Sequence, residues 1–156
     1  MVRIIDRLRG SERRLGDPAR SETLAEEDAL RADLYDFLGA LLAGPPSKDL
    51  LERTAALTGD DTDIGAAVSA LSRIAGATSA EAARTEFEAL FIGLGRGELL
   101  PYASYYMTGF LNEKPLATLR NEMARLGVER SENVYEPEDN IASLCEIMAG
   151  LIRGRF

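Results

Sequence analysis

The sequence predicts an all-α fold, a single-domain bundle of about six helices. Apolar residues recur at three- and four-residue steps through successive stretches, and Gly and Pro fall where those stretches end. Strand signals are almost absent: no Asn-Gly or Asp-Gly turn separates alternating apolar runs, and β-branched residues are few.

The first helix is expected from Thr23, where Thr23-x-x-Glu26 fits a capping box, with Leu30, Leu34, Leu38, Leu41 and Leu42 on its apolar face. Gly44-Pro45-Pro46 stops it. Ser47 is the natural N-cap of a short second helix through Leu57, and Thr58-Gly59-Asp60-Asp61 makes the following turn. A third helix fits Ile64 to Ala75, with Gly76-Ala77 behind it. A fourth begins at a second capping box, Thr78-x-x-Glu81, and carries Ala83, Phe87, Leu90, Phe91 and Leu94 on one face. Residues 93 to 104 form the longest irregular segment. Pro115 then suits the first turn of a helix ending near Leu126, where Gly127 is the residue expected just past a helix end, and Pro137 opens the last helix in the same way. Neither repeats nor low-complexity tracts divide the chain.

Length and composition narrow the function classes. A chain of 156 residues suits one domain able to bury a core without disulfides or metal. The net charge of −8 and the absence of tryptophan argue against nucleic acid, whose phosphates draw affinity from Lys and Arg. Six arginines against three acids give residues 1–20 a net +3, which leaves −11 for residues 21–156. The body is acidic, so a basic partner is favoured, and the leader is read as a flexible, solvated segment. Arg13-Arg14 does not make an export signal, because Leu15 through Asp28 contains Asp17, Arg20, Glu22, Glu26 and Glu27 where an apolar region would be needed. The single cysteine, Cys145, has no disulfide partner, and no apolar run approaches the roughly 18 residues that span a bilayer. The expectation is a cytoplasmic protein with no stable membrane insertion.

The chain contains no histidine, which removes the usual neutral-pH base and the commonest metal ligand. With one cysteine, no metal site is expected, and no enzyme activity or cofactor is expected either. Cys145 lies on an apolar helix face and is read as inert. The run Gly93-Leu94-Gly95-Arg96-Gly97 lets backbone approach an anion, yet it lacks the flanking strand and Gly-Lys-Ser/Thr of a phosphate loop and is read as a helix-terminating loop.

Two segments carry the most information. Glu86-Phe87-Glu88-Ala89-Leu90-Phe91 runs into Pro101-Tyr102-Ala103-Ser104-Tyr105-Tyr106, and about thirty residues later Glu136-Pro137-Glu138-Asp139-Asn140-Ile141 precedes the apolar run Leu144 to Met148. Tyrosine has an apolar body with a polar tip, so the cluster Tyr102, Tyr105, Tyr106 with Met107 suits either a peptide groove or core filling beneath a loop. Glu136, Glu138 and Asp139 fit the first turn of a helix, where carboxylates cap amides and oppose the dipole; they are also natural mates for a guanidinium.

In order and spacing the two segments resemble the signature of the TorD/DmsD/NarJ family, across roughly residues 24 to 152. The resemblance implies a TorD-like helical fold and a cytoplasmic chaperone that binds an apo-molybdoenzyme, through the twin-arginine signal peptide of the client, and assists cofactor insertion before export. A formate dehydrogenase is the favoured client, from a loose resemblance of the Pro101 to Pro115 stretch, with sulfoxide, N-oxide or nitrate reductases behind it. On that basis Tyr102, Ser104, Tyr105 and Tyr106 line a peptide groove, Glu136, Glu138, Asp139 and Asn140 meet its basic end, and Phe87, Leu90 and Phe91 support the wall. The family usually has histidine after the aspartate, where this sequence has Asn140, so no role resting on imidazole carries over. Relatives continue for further helices beyond this motif, whereas the sequence stops at Phe156: either the chain is incomplete or its bundle is shorter, with a missing piece supplied by a second copy, so the expected state is a monomer or a domain-swapped homodimer. A GTP-binding switch and a non-catalytic helical adaptor are the alternatives.

Overall fold

A computed structural model of the chain describes residues 2–4, 25–93 and 97–156. The described residues contain seven α-helices: α1 Glu26–Leu42, α2 Lys48–Ala55, α3 Asp63–Ala77, α4 Ala80–Phe87, α5 Ala103–Thr108, α6 Lys114–Arg125 and α7 Ile141–Ile152. Two short strands, β1 Val2–Ile4 and β2 Val128–Arg130, pair antiparallel with Val2 opposite Arg130 and Ile4 opposite Val128. The all-α class holds, and this ribbon is the addition that the sequence pattern did not signal. Three residues are too few for alternation to register. Val2–Ile4 lies within the stretch expected to be a flexible leader; residues 5–24, including Arg13-Arg14 and the Thr23 capping box, lie outside the described residues.

Contacts divide the chain into two compact units, Met1–Gly39 with Pro101–Phe156, and Ala40–Leu100. In the first unit, Met123, Val128 and Ile147 form a buried cluster, with Leu119 and Phe156 packed against it. Helix α7 buries Ala142, Ser143, Cys145, Ile147, Ala149 and Gly150, and burial pushes the Cys145 thiol up from its ordinary pKa. Gly39 of α1 lies where a Cβ would meet the Ala142 carbonyl at 3.4 Å and Cys145 Cβ at 3.5 Å, so a small residue allows the close approach of α1 and α7. Arg153, just past α7, holds Asp33 at 2.5 Å and Asp36 at 2.6 Å on α1.

In the second unit, Leu51, Ala75 and Ala83 are buried together beside Ala55 and Ala80. Ser47 caps α2 by accepting from the Leu50 amide at 3.2 Å, as the sequence predicts. Helix α4 is capped by Ser79, one residue later than expected, through the Ala82 amide at 3.1 Å. Thr78 instead donates its hydroxyl back to Ile74 O at 2.7 Å. Helix α4 also ends earlier than its apolar stripe suggests. Glu88–Ile92 form a π-helical turn, closed by the Gly93 amide on Glu88 O at 2.7 Å, and Leu94 lies outside the described residues.

Candidate functional site

The first unit brings the Pro101 to Tyr106 part of the first singled-out segment together with the second segment. The Ile141 amide donates to Pro101 O at 2.8 Å and the Ala103 amide to Asp139 O at 3.0 Å, while Tyr102 and Asn140 form an isolated antiparallel bridge. Chain stretches more than thirty residues apart are thus laced by backbone. The expected irregular stretch after Pro101 becomes a helix at Ala103, for which a cap is needed, and the cap comes from the other segment. The Asp139 carboxylate accepts the Ser104 amide at 2.8 Å.

The sequence placed the start of the last helix at Pro137; it begins at Ile141 instead. The Asn140 amide closes a turn onto Pro137 O at 3.0 Å, and the Asn140 side chain accepts from the Ala142 amide at 2.9 Å as the N-cap. Glu136, Glu138 and Asp139 therefore lie ahead of the helix rather than in its first turn, and their partners are tertiary. Glu138, with a side chain 11% exposed, takes Arg120 Nε at 2.8 Å and faces Arg130 Nε at 3.6 Å. Asp139 is buried against α5, and its second oxygen, Oδ1, together with Ser104 Oγ, is buried without a hydrogen-bond partner among the described residues. Glu136 is exposed, accepts the Tyr102 hydroxyl, and its main-chain oxygen takes Arg130 Nη1 at 3.2 Å. Burial first, and the Glu136 carboxylate second, push the Tyr102 phenol up to about 12.

Of the residues expected to line a groove, Ser104 is fully buried, Tyr102 and Tyr105 are half-buried, and Tyr106 is 68% exposed. The Tyr105 and Tyr106 rings meet edge-on with centroids 5.5 Å apart. Met107, already part of that cluster in the sequence, is exposed, and sequence reasoning missed the continuation of the face, where Phe110 is 69% exposed and Leu111 is exposed as well. The signal lay in Met107, Phe110 and Leu111 standing around Gly109, an apolar run without helical period. Arg120 and Arg130 were also missed, since nothing local marks them as partners of Glu138.

Phe87, Leu90 and Phe91 belong to the second unit. There they line an apolar cleft of about 200 Å³ together with Leu41, Leu71 and Ile74, and the Phe87 and Phe91 ring centroids stand 4.8 Å apart. The glycine run weighed as an anion cradle falls partly at residues 94–96, outside the described residues. Gly97 is pressed on the π turn, where a Cβ would come within 2.6 Å of Leu90 O, so its described role is close packing. No group of His, Cys, Asp and Glu among the described residues is arranged to hold a metal ion, and no described helix is long and apolar enough to cross a membrane.

Comparison with known proteins shows what the chain is similar to. The chain is 30% identical over 140 residues to the chaperone protein TorD of Vibrio atlanticus, covering 78% of this chain and 64% of that one. It is 29% identical over 137 residues to TorD of Vibrio vulnificus strain YJ016, with the same coverage. A shorter stretch of 69 residues is 36% identical to TorD of Vibrio parahaemolyticus and covers 43% of this chain and 32% of the relative. The chain thus spans between about a third and two thirds of the curated relatives it matches. A crystal structure of a candidate redox enzyme maturation protein from Archaeoglobus fulgidus superposes with a TM-score of 0.58 at 18% identity, over 80% of this chain and 72% of that one, which establishes the helical fold. The model of the nitrate reductase delta subunit family matches residues 57–156, well over half of the sequence and every candidate residue described above; this chain belongs to that family.

Proposed function

We propose that this protein is a cytoplasmic molybdoenzyme-maturation chaperone. It binds the Arg-containing N-terminal signal peptide of an apo-enzyme, with a formate dehydrogenase as the favoured client, and holds it while cofactor is inserted, without making or breaking a bond. The observation that carries this reading is the family match over residues 57–156, which contains both laced segments. The TorD relatives are named chaperones, and that supports a non-catalytic role.

Chemistry assigns the parts. An apolar peptide stretch needs accessible aromatic and thioether surface, which Tyr106, Met107 and Phe110 offer on and just past α5. A guanidinium needs a carboxylate that can be reached, and among the three acids of the second segment Glu136 is the exposed one. Tyr102, Tyr105, Ser104, Glu138, Asp139 and Asn140 form the frame that fixes these groups.

Calorimetric titration with twin-arginine signal peptides from candidate molybdoenzymes tests this, alongside a Lys-Lys peptide. Binding should weaken roughly tenfold on replacing the arginine pair, since Lys loses the bidentate geometry. Glu136→Gln should remove most of that discrimination, and Tyr106→Ala should weaken both peptides. Equal affinity for Arg-Arg and Lys-Lys peptides, or no binding of any, would overturn the reading.

A further inference from the structure

We infer that Asp139 is a positioning residue: it acts on a bound peptide by holding helix α5 folded, with its side chain turned inward. This rests on the proposed peptide-binding reading for its functional consequence, whereas the structural half stands by itself. Helix α5 has six residues, Ala103–Thr108, far below the length at which a helix is stable alone in water. None of its own neighbours caps it: Tyr102 stands at the N-cap position and makes no side-chain capping bond. Among the described residues, the side-chain acceptor at its start is the Asp139 carboxylate, thirty-five residues away in sequence and 2% exposed.

What the helix carries makes the cap consequential. Its far end closes through the Gly109 amide on Tyr105 O at 2.7 Å, with Gly109 at φ 82°, and the surface around that end is Tyr106, Met107, Phe110 and Leu111. Loss of the cap loosens the helix, so a ligand of this face meets a protein whose competent form is only partly populated, and its apparent affinity falls by that fraction. The charge is not what capping requires. One carboxylate oxygen accepts the amide and the other is buried without a partner, as is the Ser104 hydroxyl, so a neutral amide side chain at 139 can serve the same bond.

Amide exchange on the full chain, together with peptide titration, separates this role from direct contact. A capping side chain is worth roughly a fivefold change in helix population. Asp139→Ala should speed exchange at the Ser104 and Gly109 amides by about that factor while leaving Leu144 in α7 nearly unchanged, and it should weaken Arg-Arg and Lys-Lys peptides equally. Asp139→Asn should restore both properties. Wild-type protein gives a check that needs no variant: Ser104 and Gly109 should be protected to similar degree, because one cap secures one short helix. A Ser104 amide that exchanges like a free one would overturn the inference. So would selective loss of the Arg-Arg peptide in both Asp139 variants with α5 protection intact, which would put the carboxylate on the guanidinium itself. Failure of wild-type protein to bind any peptide would remove the functional reading and leave the exchange data to decide the positioning role.

Discussion

Glu138→Gln should destabilise the first unit, and the size of the effect follows from the surroundings of the carboxylate. Glu138 is nearly sealed while its partners are not: Arg120 is 52% exposed and Arg130 36%. A hydrogen bond to a charged group is worth roughly 1.5–3 kcal/mol, and exposed ion pairs about 0.2–1 kcal/mol. With one close contact at 2.8 Å and a second pairing at 3.6 Å, the substitution should cost about 1–2 kcal/mol, because water can rehydrate the released arginines and glutamine keeps an acceptor. For a chain of this length that lowers Tm by roughly 2–8 °C. All five tyrosines lie in the first unit and the chain lacks tryptophan, so intrinsic fluorescence follows that unit's unfolding. The surface pair Arg53–Asp49, both side chains more than two thirds exposed, supplies the control: Arg53→Gln should cost only a few tenths of a kcal/mol. A double-mutant cycle with Arg120→Ala should show coupling. Unchanged stability in Glu138→Gln, or no coupling to Arg120, would refute the internal role and return Glu138 to the pool of carboxylates open to a client.

Three further outcomes are expected. In a spectrophotometric pH titration one tyrosine should ionise near pH 12, and Tyr102→Phe should remove that late step; because folding favours the protonated phenol, its contribution is full below the ordinary value of 10 and disappears as pH rises through about 12. Arg153→Met should cost about 1 kcal/mol, read by urea unfolding, with the gap narrowing in about 1 M salt, because Asp33 and Asp36 are partly solvated and screened. Leu116→Ala, at a site 2% exposed, should cost about 2–5 kcal/mol by the same assay; a smaller loss would mean that the site collapses around the cavity.

Local chemistry carried much of the fold into the sequence. Ser47 caps α2, Pro115 sits in the first turn of α6, and Gly127 follows that helix at φ 69°, all as residue preferences dictate, because each requirement is met within four residues along the chain. Some expectations failed by a local shift of a cap, from Thr78 to Ser79 and from Pro137 to Asn140; in another case a remote group had taken over a local task. Pro137 looks like a helix opener, yet Asn140 holds the cap and the turn at Pro137 belongs to the strap onto Pro101. Residues 93 to 104 read as irregular, yet α5 starts within them at Ala103, where Tyr102 makes no side-chain cap and Asp139 supplies one from across the unit.

The candidate site divides in the same way. The sequence by itself determined the all-helical class and the acidic body, since these rest on composition and period; that an aromatic and an acidic segment belong together came from the family resemblance. Only the tertiary structure decided which of those side chains face water. Burial of Ser104, Glu138 and Asp139 and exposure of Glu136, Tyr106 and Phe110 depend on partners, Arg120 and Arg130 among them, that sequence distance hides. A carboxylate's accessibility is a property of what packs on it, and that is fixed by folding.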